Sequence, residues 1–93
     1  MKNFEETVSS EEKVLIKFGA DWCGPCKIMD KVLGGMITEG VSNIYKISVD
    51  EFPEIAGKYA IRNLPTILIF QKGVVVEKLL GIRSQDELIE ILK

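Results

Sequence analysis

The chain of 93 residues contains no histidine. That absence removes Cys–His nucleophilic catalysis, Ser–His triads and histidine-ligated zinc within a single chain. Long apolar runs are missing too, so no segment is expected to span a membrane. The opening residues, Met1 to Glu6, lack the apolar core of a secretory leader, which points to a cytoplasmic location. A net charge of −2 with interleaved signs leaves no basic stripe and no acidic tail, and argues against nucleic acid as a partner. There is no internal repeat or linker. The length suits one domain over residues 1–93, close to the lower limit for a self-sufficient core, and a monomer is expected. An apolar share of 46% marks a chain that folds.

Cysteine is scarce as well, and both copies fall in one stretch, Trp22-Cys23-Gly24-Pro25-Cys26-Lys27. In a cytoplasmic chain such a CxxC pair is catalytic or metal-binding, not a structural staple. Tetrahedral zinc needs further ligands, and no spare Cys or His supplies them. A dimer sharing one metal through the cysteines of both chains is the remaining metal arrangement. The expectation is therefore no metal and no cofactor beyond a reversible Cys23–Cys26 disulfide.

Patterning places that stretch. Residues 3–12 are polar with Phe4 and Val8 at i, i+4, which suits a short surface helix. Val14 to Phe18 reads as a strand buried on both faces, broken only by Lys17. Ile28, Met29, Val32, Leu33 and Met36 recur at helical spacing until Gly34-Gly35 loosens the pattern. Ile44 to Val49 alternates as a second strand, and Pro53 opens a short helix. Thr66 to Phe70 and Val74 to Leu80 form a hairpin around Gln71-Lys72-Gly73. Ser84 to Glu87 reads as a capping box before a last helix that turns Leu88, Ile89, Ile91 and Leu92 inward. Alternating strands and helices followed by a hairpin imply a mixed sheet with helices on both faces.

Between a strand and a helix, the cysteines occupy the helix's first turn, where Pro25 is tolerated because its missing N–H has no intrahelical partner. The free N–H groups and positive end of the helix stabilise a thiolate at Cys23. Cys26, one turn on, lies within reach of it. Cys23 then attacks a substrate disulfide, and Cys26 attacks the mixed disulfide to release the product.

Val14 to Lys27 reads VLIKFGADWCGPCK and Lys58 to Thr66 reads KYAIRNLPT. With Phe70 to Gly73 and Gly81, these segments resemble the thioredoxin family over nearly the whole chain from Phe4 onward. The resemblance implies a three-layer α/β/α fold and a thiol-disulfide oxidoreductase that reduces protein disulfides. It also implies thioredoxin reductase as electron source and disulfide-containing proteins as substrates. By the same resemblance Pro65 is cis and faces the cysteines, and Leu64 offers backbone hydrogen bonds to an extended substrate. Trp22, Gly24, Pro25, Ile61, Leu64, Pro65, Gly81 and Ile82 then form the docking surface.

Three departures from the family pattern stand out. Too few residues precede Phe4 for the family's opening edge strand, so four strands are expected, with Ile44 to Val49 at an edge. Lys31 stands where many members have a helix-bending proline, which predicts a straighter helix with a looser end near Gly34-Gly35. Lys17 stands where the family commonly buries the aspartate assigned as proton acceptor for the resolving cysteine. Asp30 is the candidate replacement: Cys23, Cys26 and Asp30 fall at i, i+3 and i+7, on one helix face. Paired with Lys17, and with Lys46 nearby, Asp30 would transpose the carboxylate and remove the cost of a lone buried lysine. The competing arrangement has Lys17 reaching solvent and Asp30 on a wet face.

Gly24-Pro25 argues for a reductase. A cation at Lys17 argues for the alternative, a more oxidising thiol oxidase or isomerase, or a dedicated electron donor, because it would stabilise thiolates. A non-catalytic binding module is disfavoured by the intact dithiol.

Overall fold

A computed structural model describes residues 3–93. Its elements run α1 (Phe4–Val8), β1 (Val14–Gly19), α2 (Gly24–Thr38), β2 (Ile44–Ser48), α3 (Pro53–Lys58), β3 (Thr66–Gln71), β4 (Val74–Leu80) and α4 (Gln85–Leu92). The four strands form one sheet in the order β2-β1-β3-β4. β1 pairs with β2 in parallel, and β1–β3 and β3–β4 are antiparallel. β2 is an edge strand, as expected.

The central strands β1 and β3 are buried on both faces, which is why they read as continuous apolar runs. One face of the sheet, through Leu15, Ile44, Ile67, Ile69 and Leu79, packs on Met29, Leu33 and Met36 of α2 and Leu88 of α4. The opposite face, through Val14, Ile16, Phe18, Ile47, Leu68 and Phe70, packs on Phe4 and Val8 of α1 and on Ile55 of α3. Phe4 and Tyr59 both meet Phe70 edge-on, with ring centroids 5.8 and 5.3 Å away. This is the favoured aromatic geometry, and it ties both helices to β3. The sheet is thus sandwiched, and the strand-to-helix connection after β1 emerges at its end.

Four local details differ from the sequence reading. α1 ends at Val8 instead of running to residue 12. The carbonyls of Val8 and Ser10 accept from Gly73 and Lys72 of the distant hairpin, at 2.9 and 2.8 Å, so the chain there serves the turn and not a helix. α2 passes unbroken through Gly34-Gly35 to Thr38, because Leu33 and Met36 on either side are fully buried against the sheet and α4. It stops at Gly40 (φ 98°) in a Schellman motif. There Val41 N–H donates to Met36 and Gly40 N–H to Ile37, both at 3.0 Å, while Val41 packs on the core. The hairpin turn is tighter than expected: Gln71 pairs with Val74, and Lys72-Gly73 alone turn the chain with φ of 55° and 80°. At α4 only half of the capping box forms. Ser84 Oγ accepts from Glu87 N–H at 3.2 Å, but the Glu87 carboxylate is taken by Arg83 at 2.8 Å.

Candidate active site

Cys23 is the N-cap of α2, one residue ahead of the first turn in which the sequence placed it, with extended φ and ψ of −96° and 110°. The helix begins at Gly24, and Pro25 sits in its first turn, where no N–H is needed. Cys23 and Cys26 are joined in a disulfide with Cα atoms 5.3 Å apart. Cys26 N–H donates to Cys23 Sγ at 3.2 Å, so the helix end points a backbone donor at the first sulfur. The pair is buried, at 6% and 1% exposure, among Ala20, Val49 and Leu64. Cys23 is the more accessible.

Cys23 opens on a groove of about 590 Å³ lined also by Trp22, Gly24, Pro25, Val49 and the segment from Ile61 to Leu64. Trp22 is 71% exposed, yet its indole Nε1 is fixed by a hydrogen bond to Asp50 Oδ2 at 2.9 Å. The Leu64–Pro65 peptide is cis, and Pro65 is buried behind Leu64. Gly81 N–H donates to the Pro65 carbonyl at 2.9 Å, and Gly81 turns the chain with a φ of 83°. Ile82 is half exposed. Of the expected docking residues, Pro65, Gly81 and Ile82 do not line the groove, whereas Trp22, Gly24, Pro25, Ile61 and Leu64 do.

Beneath Cys26 lies a second cleft of about 210 Å³, lined by Lys17, Gly19, Ala20, Asp21, Asp30, Lys46, Ile47, Ser48 and Glu51. Lys17 and Lys46 are register partners on the parallel strands β1 and β2, so their side chains leave the sheet on the same face. Asp30 reaches down to them from α2. Lys17 Nζ donates to Asp30 Oδ1 at 2.7 Å, and Lys46 Nζ lies 3.7 Å from the same oxygen. Gly19 closes the roof. A Cβ built there would lie 2.8 Å from Lys17 Nζ and 3.1 Å from Cys26 Sγ.

Four contributors escaped sequence reasoning. Val49, Arg62 and Asn63 line the groove from connecting segments, where no periodicity marks orientation. Gly19 ends an otherwise bulky strand, and a glycine in that place is the sequence signal for a close approach.

The thioredoxin family profile matches this chain over residues 1–93. A thioredoxin from Chlorobaculum thiosulfatiphilum is 45% identical over 83 residues, covering 86% of this chain and 77% of that protein. One from Staphylococcus haemolyticus is 38% identical over 92 residues, covering 97% and 88%. Among solved structures, a mutant thioredoxin from Halobacterium salinarum NRC-1 superposes with a TM-score of 0.87 at 32% identity, covering 99% of this chain and 81% of that one. The thioredoxin NaTrxh from Nicotiana alata gives 0.84 at 31% identity, covering 97% and 78%.

Proposed function

The chain belongs to the thioredoxin family and is a thiol-disulfide oxidoreductase with disulfide reductase activity, in which we propose that Cys23 attacks and Cys26 resolves. The observation carrying this assignment is the asymmetry of the pair. Cys23 caps the helix, faces the groove and receives the Cys26 N–H, whereas Cys26 is closed off behind it. A thiolate at Cys23 gains from the backbone donor and the positive helix end, and only its sulfur is open to an incoming disulfide.

In the first step the Cys23 thiolate bonds to one substrate sulfur and the other leaves as a thiolate. In the second, Cys26 displaces the bound sulfur, and the protein ends as the disulfide described above. The groove floor of Ile61 and Leu64, with Trp22 at its rim, suits an extended apolar segment on either side of a substrate disulfide. Gly24 and Pro25 contribute little bulk there, so a substrate backbone can approach. Disulfide-containing proteins are the substrates in this reading, and a thioredoxin reductase returns the electrons. A reducing compartment, the cytoplasm, suits a dithiol that must be regenerated after each turnover. No helix among the described residues is long and apolar enough to cross a membrane.

Cys26→Ser tests the assignment. With the resolving sulfur gone, the mixed disulfide at Cys23 persists and retains the substrate on a non-reducing gel. Cys23→Ser retains none. Adducts that form equally well in the two variants would reverse or abolish the assigned roles.

A further inference from the structure

We propose that Lys17 is a positioning residue for the second half of the reaction. Its ammonium group, held by Asp30, stabilises the Cys26 thiolate as Cys26 displaces the substrate. The inference rests on the reductase reading above and concerns the same site.

Three observations carry it. The Lys17 side chain is 5% exposed inside an otherwise apolar strand, so its charge is screened less than that of a surface lysine. Lys17 Nζ and Cys26 Sγ flank the point where a Gly19 Cβ would stand, 2.8 and 3.1 Å from it. The two are thus no more than about 6 Å apart, a range in which a cation favours the ionised thiol. Finally, the Asp30 carboxylate is 37% exposed and lies 3.7 Å from Lys46 as well, so it does not cancel the charge of the buried Lys17 in full.

The other charges near Cys26 are placed to matter less. Asp21 and Glu51 line the same cleft but are exposed, where solvent and salt screen them. Asp50 is engaged by Trp22, and Arg62 is an exposed residue lining the groove above the disulfide.

In the step itself the Cys26 thiol gives its proton to solvent water. The thiolate attacks Cys23 Sγ. The Cys23–Cys26 bond forms as the bond from Cys23 to the substrate sulfur breaks, and the departing thiolate takes a proton from solvent. The two cysteines are oxidised and the substrate is reduced.

The test loads Cys23 with glutathione and follows its release against pH by stopped flow. Cys26 ionisation is measured separately, by carbon NMR of its Cβ in Cys23→Ser. The wild-type release midpoint is expected to coincide with that ionisation. Lys17→Met should raise both by about one unit and slow release about tenfold at neutral pH, while the alkaline plateau is kept. Lys17→Gln, which keeps a hydrogen-bond donor for Asp30 but not the charge, should move the midpoint the same way and serves if Lys17→Met does not fold. A midpoint unmoved by these variants overturns the proposal. A wild-type midpoint that departs from the Cys26 ionisation and is lost in Asp30→Asn makes Asp30 the proton acceptor and also overturns it. If the wild type releases no glutathione at any pH, the reductase reading itself fails.

Discussion

Lys17 and Asp30 form an ion pair between a dry group and a wet one: their atoms are 2.7 Å apart, but the side chains are 5% and 37% exposed. The two halves of such a pair do not cost the same to remove. Asp30→Asn leaves the buried ammonium a hydrogen-bond acceptor but no counter-charge, and because the carboxylate is 37% exposed the loss falls below the ~3–5 kcal/mol of a fully buried pair. Lys17→Met leaves a carboxylate that water and Lys46 still solvate, and places an apolar side chain in an apolar strand. Urea denaturation should find Asp30→Asn destabilised by about 2 kcal/mol and Lys17→Met within about 1 kcal/mol of wild type. Equal losses would mean that Lys17 does not carry its charge in the dry layer.

Trp22 poses the opposite problem, a large apolar side chain that is exposed yet held in place by Asp50 at 2.9 Å. Asp50→Ala frees the indole without opening the core, so stability should fall by less than about 1 kcal/mol. The cost should appear in substrate binding. We expect kcat/KM for a protein disulfide to drop roughly fivefold, about 1 kcal/mol, and that for a small aromatic disulfide to stay constant. A parallel loss with both substrates would place the effect on the cysteines and not on the rim.

The cysteine pair, its helix and the two central strands are legible in the sequence because each depends on local pattern: CxxC spacing, helical periodicity and continuous apolar runs. The Lys17–Asp30–Lys46 cluster is legible for a related reason. Helix phase puts Asp30 on the Cys26 face, and the facing positions 17 and 46 on parallel strands put two lysines beneath it. What escapes is decided at long range. The end of α1 is set by donors at Lys72 and Gly73, more than sixty residues away. The continuity of α2 through Gly34-Gly35 comes from α4, and the groove positions of Arg62 and Asn63 come from the turn before the cis peptide. No local pattern carries those contacts.

The two adjacent glycines within α2 offer a contrast. A Cβ at Gly34 would meet nothing within 4 Å, so Gly34→Ala should stabilise the protein by about 0.5–1 kcal/mol through lost freedom of the unfolded chain. A Cβ at Gly35 would come 3.1 Å from Gln85 Oε1, at the α2–α4 contact. Gly35→Ala must displace that amide, which also donates to Glu39, so the gain should be reduced or cancelled. Thermal melts of the two variants decide it. Equal gains would show that α4 yields freely at Gln85.

The buried cation also has a thermodynamic consequence for the disulfide. In the oxidised protein the sulfurs carry no charge and Lys17 gains nothing from them. In the reduced protein it favours the Cys26 thiolate, so Lys17 stabilises the reduced form and makes the disulfide more oxidising. This contribution exists only where Cys26 is ionised. It is present above the Cys26 titration in the reduced protein and disappears as pH falls below it. Equilibration of wild type and Lys17→Met against glutathione should therefore give the same constant at acid pH. The two should diverge as Cys26 ionises, with the variant more reducing by about tenfold, or about 30 mV, per unit of difference in the thiol's titration. A gap of constant size at every pH would instead trace the effect to the packing of the oxidised form. No gap at any pH would remove the electrostatic argument and, with it, the one feature of this site that points toward oxidation instead of reduction.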